Sequence, residues 1–128
     1  MTAVPPLQGS SIAGTDFTIA EWVDDDESSA ERPIAPRHVH FADDEAWYVL
    51  EGTLGFIRGE ERLEAPAGSA VLVPRGVPHT YWNAGESRAR YLLVMTPRIA
   101  ALIGALHEPG AFDDVHGLFA RFDSELLA

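Results

Sequence analysis

The sequence predicts an all-β domain, a sandwich or barrel of short strands, finished by short C-terminal α-helices. Three observations carry that expectation. Between residues 37 and 95, short β-prone runs follow one another with turn residues between them. Glycine and proline punctuate the same stretch, as at Gly52, Gly59, Gly68, Pro74 and Gly76. Beyond Pro97 the apolar residues change from strand-like to helical spacing.

Taken in order, residues 1–10 contain Pro5-Pro6 and Gly9 and read as a loose arm. Residues 17–23 are β-rich and partly alternating, the first strand. The acidic run Asp24-Asp25-Asp26-Glu27 follows, with Glu31 beyond it and Pro33 and Pro36 closing it. It reads as a solvated loop, because it lacks the alternating oxygen ligands and the glycine of a calcium loop. Residues 37–41 form a strand and Ala42-Asp43-Asp44 a turn. Residues 45–50 form the next strand, ended by Glu51-Gly52. Residues 53–58 and 61–64 flank Gly59-Glu60 as a hairpin. Residues 65–68 turn, 69–73 make a short apolar strand, and Pro74-Arg75-Gly76 stops it. Residues 79–83 and 88–95 complete the series around Ala84-Gly85-Glu86. In the tail, Ile99, Leu102, Ile103 and Leu106 share one helical face. After Pro109-Gly110, so do Phe112, Val115, Leu118, Phe119, Phe122 and Leu126. The 128 residues suit one domain. Residues 1–30 are its arm and first strand, 31–96 its barrel core and 97–128 its helical tail. No internal repeat is visible.

Composition narrows the function. The formal net charge is −11, which repels phosphate backbones and anionic surfaces, so neither nucleic acid nor membrane is an expected partner. There are no cysteines, so disulfides, thiolate nucleophiles and cysteine metal sites are excluded. Any metal must sit on nitrogen and oxygen. No apolar run has the length of a membrane span and no secretory signal is evident, so a cytoplasmic location is the expectation.

One constellation carries chemistry. His38 and His40 stand two apart in a strand, and i and i+2 point to the same side, so two imidazoles enter one space. An isolated His-x-His is weak evidence for a metal. A carboxylate just beyond the turn can swing toward them, and Asp43, Asp44 and Glu45 compete for that role. Glu45 shares a face with Trp47 and Val49. His79 follows a turn stiffened by Pro74 and Pro78 and bent at Gly76; taken alone it reads as a polar strand end.

Together these residues resemble the cupin family. Its first motif, G-x5-H-x-H-x3,4-E-x6-G, is met by His38, His40, Glu45 and Gly52, with Arg32 where the leading glycine belongs. Its second, G-x5-P-x-G-x2-H-x3-N, is met at every position by Gly68, Pro74, Gly76, His79 and Asn83. The resemblance spans residues 32–95. It implies a jelly-roll barrel, selects Glu45 over its neighbours by the spacing to Gly52, and makes His38, His40, Glu45 and His79 ligands of one divalent transition metal. Three imidazoles and a carboxylate suit iron, manganese, nickel, cobalt, copper or zinc, not calcium.

Strand parity then builds a pocket. Trp47 and Val49 should face inward with Glu45, and Tyr81 and Asn83 with His79. Phe41, Phe56, Val71, Val73, Leu92 and Val94 are further inward candidates. Arg90 shares parity with Leu92 and is the best placed arginine to meet a carboxylate. Tyr48 and Trp82 should pack outside, at a homodimer contact. His107 and His116 read as surface or capping residues. The expected function is a metal-dependent enzyme for a small organic molecule. The resemblance suggests a dioxygenase-like oxidoreductase with Glu45 as ligand or base, and strand parity places Tyr81 to hydrogen-bond a ligand or act in proton transfer. An isomerase, lyase or cyclase, or a non-catalytic binding barrel, would use the same site. The tail helices would cover the barrel mouth or contact a second subunit.

Overall fold

The computed structural model describes residues 11–127, so the arm read at residues 1–10 lies outside the described residues. Ten strands and two helices are described. In order they are β1 (Ser11–Ala13), β2 (Thr18–Asp24), β3 (Ala35–His40), β4 (Glu45–Glu51), β5 (Thr53–Arg58), β6 (Glu61–Pro66), β7 (Ala70–Val73), β8 (His79–Asn83), β9 (Ala89–Met95), α1 (Pro97–Leu106), α2 (Val115–Arg121) and β10 (Ser124–Leu126). They form two five-stranded sheets, ordered β1-β2-β9-β4-β7 and β10-β3-β8-β5-β6, with every strand pairing antiparallel. The fold is all-β with two short helices, as the punctuation predicts.

Alternation explains the packing. Along β4, Glu45, Trp47 and Val49 are buried while Tyr48 is exposed, the period-two pattern of a sheet with one face inward. Leu54, Phe56, Val71 and Val73 meet them from β5 and β7 in one core.

On β9 the inward residues are Ala89, Tyr91, Leu93 and Met95. The expected parity of Arg90, Leu92 and Val94 is therefore corrected: these three face outward, half-buried. The reason is register, since a slip of one residue turns every side chain to the other face. Tyr91 lies opposite Val49, and Leu93 opposite Trp47. An apolar run such as Tyr91-Leu92-Leu93-Val94 carries no polar residue to mark its outer side. Arg90 instead reaches Glu21 (3.3 Å) and Glu51 (3.6 Å). Phe41 is also corrected, at 50% exposed; it follows the end of β3, where alternation no longer fixes direction.

Two glycines are structurally required. At Gly52 φ is +78°, and a Cβ would stand 2.6 Å from the Arg88 carbonyl oxygen, so the closing glycine of the first motif makes a turn that side chains rarely adopt. At Gly55 a Cβ would meet the Trp82 indole ring. Trp82 lies across from Gly55 in the β5–β8 ladder, is 4% exposed, and carries the Arg62 guanidinium 5.0 Å from its ring centroid. It packs on the outer side as expected, but this chain already covers it. Gly55→Ala is expected to destabilise the fold by about 1–3 kcal/mol through overpacking; a denaturant titration with an unshifted midpoint would contradict this.

Asn83 is fully buried and serves structure. Its Nδ2 donates to the carbonyls of Asp24, Asp26 and Ser87, and its Oδ1 accepts from Gly85 N–H. The acidic loop is thereby tied down although its side chains at residues 25–27 are exposed.

The tail is only partly helical. Pro97 ends β9 and opens α1, where a proline costs no hydrogen bond, and Thr96 caps the helix by accepting from Ile99 N–H. Asp114 caps α2 by accepting from Gly117 N–H. Beyond α2 the helical spacing of Phe122 and Leu126 does not hold. Asp123 has φ of +54°, the chain reverses, and β10 pairs with β3, Ser124 opposite His40 and Leu126 opposite His38. Among the described residues no helix is long and apolar enough to cross a membrane.

Candidate metal centre

Three strands deliver the four side chains. His38 and His40 leave the inner side of β3, Glu45 begins β4, and His79 begins β8. His38 lies opposite His79 in the β3–β8 ladder, and the register of that ladder shifts between Ala35 and His38. The ligand-type atoms of the four lie within 4.8 Å of one another, and all four residues are buried. Asp44 turns away to accept from the Arg75 backbone N–H at 2.8 Å. Asp43 sits 3.6 Å from Arg98. The spacing argument for Glu45 thus agrees with its placement.

Each imidazole has one nitrogen already engaged. Nδ1–H of His38 donates to the Pro36 carbonyl (2.6 Å) and that of His79 to the Val77 carbonyl (3.0 Å). Nδ1–H of His40 donates to Ser124 Oγ (2.7 Å), which donates onward to the Phe122 carbonyl (3.1 Å). Holding Nδ1 directs each Nε2 at one shared space, the usual way a protein orients a metal-binding histidine, and without a metal His79 Nε2 is hydrogen-bonded to Glu45 Oε1. His40 Nε2 is buried with no hydrogen-bond partner among the described residues. It stands 3.4 Å from Glu45 Oε1, and His79 Nε2 stands 3.1 Å from the same oxygen. Such a set of nitrogen and oxygen atoms needs a proton or a cation between its members. A divalent transition metal fits it, with the donor set deciding the class and not the element.

Electrostatics point the same way. Burial, followed by His79 and His40, lowers the His38 pKa to about 4, so its lone pair is free at neutral pH. Burial pushes the Glu45 carboxyl up, but His40 and His79 beside it outweigh that and hold it at about 2.

Ser124 had no signal in the sequence, because its segment read as helix. Its role emerges only from the β3–β10 pairing. Ser124→Ala is expected to weaken metal binding by about 10–100-fold, the usual cost of losing a hydrogen bond that supports a ligand, while the fold survives. Competition with a chelator of known affinity measures this.

The centre opens on a cavity of about 300 Å³. Of the expected pocket residues, Trp47 and Tyr81 line it. Val49, Phe56 and Val73 are core behind it, and Arg90 and Leu92 face away. Sequence parity missed Tyr91 and Leu93, which line it, and also Trp22. The tail contributes Leu102, Ile103, Leu106 and Phe119 to its wall. His107 caps α1, as expected, but its ring also stacks on Trp22 (centroids 6.1 Å, planes 11° apart) and borders the cavity. His116 is exposed. The Tyr81 and Tyr91 hydroxyls are 3.0 Å apart. Burial pushes the Tyr81 phenol up to about 12.

The family pattern described as "Cupin domain" matches residues 30–95. A germin-like protein, subfamily T member 2, of Arabidopsis thaliana is 36% identical over 64 residues, 46% of this chain and 29% of that protein. The chain thus spans less than a third of that relative. Among solved structures, the polyketide cyclase RemF from Streptomyces resistomycificus is 27% identical with a TM-score of 0.53, over 65% of this chain and 56% of the other. A sugar phosphate isomerase of the cupin superfamily from Silicibacter pomeroyi is 23% identical with a TM-score of 0.54, over 63% and 50%. KdgF from Halomonas sp. is 18% identical with a TM-score of 0.59, over 69% and 76%. The last two similarities bear on the fold alone.

Proposed function

The chain belongs to the cupin family, and on that premise we propose that it is a metal-dependent enzyme acting on a small organic molecule, with dioxygenase-like oxidoreductase chemistry. The observation that carries the reading is the convergence of three Nδ1-anchored histidines and one ionised glutamate at the end of an apolar cavity.

His38, His40, Glu45 and His79 would hold the metal. When bound, it would supply Lewis acidity, lowering the pKa of a coordinated enol or phenol and orienting it. The protein does the rest. Trp47, Leu93 and Phe119 exclude water, which strengthens every charge interaction at the centre. Glu45, a carboxylate at neutral pH, either stays a ligand or shifts off the metal to take a substrate proton. Tyr81 keeps its own proton and, backed by Tyr91, donates a hydrogen bond to substrate oxygen. These are the roles in which Glu45 and Tyr81 are catalytic.

A second reading is a metal-dependent cyclase, isomerase or lyase, favoured by the similarity to a polyketide cyclase. Elemental analysis of the purified protein, followed by oxygen-electrode assays with enolic and phenolic compounds, separates the two. Stoichiometric iron, manganese, nickel or copper with substrate-dependent oxygen uptake supports the first. Turnover without oxygen consumption supports the second. A protein that takes up none of these metals or zinc on reconstitution is a ligand-binding barrel instead.

A further inference from the structure

The chemistry of the cavity wall restricts what can enter. All nine basic residues of the chain are arginine, and none of them lines the cavity. Several are engaged elsewhere: Arg58 with Glu61, Arg75 with Asp44, Arg88 with Glu51, and Arg98 with Asp43 and Asp123. Arg90, the arginine expected to receive a carboxylate, is committed to Glu21 and Glu51 outside the barrel. Away from the centre, the wall is built from aromatic and aliphatic side chains. Its polar exceptions are the Tyr81–Tyr91 hydroxyl pair, the His107 ring, and the buried Nε1–H groups of Trp22 and Trp47, which have no hydrogen-bond partner among the described residues.

An anionic group placed against this wall would lose its hydration with no arginine or lysine to replace it, the His107 imidazole being the one basic side chain away from the centre, a large cost in an apolar site. The net charge of −11 adds long-range repulsion. At about 300 Å³, the cavity stands at the small end of the roughly 300–1,000 Å³ range of ligand pockets. Trp47, Tyr81 and Phe56 already form an edge-to-face and stacked cluster with centroids 5.2–5.7 Å apart, and planar rings are the natural addition to such a group.

We infer that the ligand is an uncharged, mainly aromatic small molecule that presents oxygen to the His/Glu centre and a ring system to the apolar wall. Sugar phosphates, and acids whose charge lies away from the centre, are excluded. This rests on the proposed function for the oxygen-to-centre contact, but the preference for neutral rings follows from the wall itself.

The test uses two matched probes, 2,3-dihydroxynaphthalene and its 6-sulfonate. Both carry the same pair of adjacent hydroxyls, and only the second carries a charge at the far edge. Binding is followed by quenching of tryptophan fluorescence, with and without added metal, on protein of measured metal content. The neutral diol should bind, and the sulfonate should bind roughly tenfold or more weaker. Glucose 6-phosphate should fail to displace the diol. Equal binding of the two probes, no binding of the diol, or displacement by glucose 6-phosphate overturns the inference. A neutral preference that persists in a protein unable to take up metal would keep the inference and remove the proposed enzyme function.

Discussion

His79→Ala will purify with little metal under conditions that load the wild type. His79 contributes more than one bond. Its Nε2 stands 3.1 Å from Glu45 Oε1, and its ring lies 4.3 Å from that of His38 and 5.5 Å from that of His40, centroid to centroid. Removing it takes away one donor and leaves a gap beside two others. The expected loss of affinity exceeds the roughly 10–100-fold typical of a lost supporting hydrogen bond. Plasma mass spectrometry of the variant checks it, and wild-type occupancy would mean that the four residues are not the ligand set. A second consequence concerns the metal-free protein. Glu45 is held at about 2, below its ordinary 4.5, so its contribution to stability is present above 4.5 and fades as pH falls toward 2. Without His79 the lowering weakens, and part of that contribution is already lost at neutral pH. The difference in apo stability between wild type and variant should therefore be largest near pH 7 and shrink on acidification.

The centre was legible in the sequence through the two family motifs, because only the His38–His40 pair is local. His38 and His40 share a strand face by parity alone, and the rigid turn before His79 leaves its strand little choice of start. Glu45 could be told from Asp44 only by the spacing to Gly52, and that spacing has a physical basis: Gly52 sits at positive φ with the Arg88 carbonyl against it. What failed was non-local. The β9 run from Tyr91 to Val94 is apolar on both sides, so nothing in it marks which residues face in. Its neighbours β2 and β4 decide that through register. The β10 segment is the same problem in sharper form. Phe122 and Leu126 fit a helical stripe, and only the reversal at Asp123 and pairing with β3 make a strand of the second. With that strand the tail brings Ser124 to His40, so a residue 84 positions away in sequence orients a candidate ligand.

Trp47→Ala will cost about 3–5 kcal/mol of folding stability, as expected for a large aromatic removed from a core. Trp47 is 1% exposed. Its ring meets Phe56 at 5.2 Å, Tyr81 at 5.3 Å and His79 at 5.7 Å, centroid to centroid. It also forms part of the cavity wall. Truncation would join the new void to the existing cavity, where water can enter but finds few polar partners. Because a domain of this kind holds only about 5–15 kcal/mol in total, the variant should unfold at a clearly lower denaturant concentration and remain folded near 20 °C. The ligand set should survive in it, since the Nδ1 anchors of the three histidines are Pro36, Val77 and Ser124 and not Trp47. Trp47→Phe separates packing from recognition. It should recover most of the stability yet bind the naphthalene diol more weakly, because the smaller ring leaves part of the wall open. If Trp47→Phe restored stability and diol binding together, Trp47 would be core alone, and recognition would rest with Tyr81 and the residues of the tail.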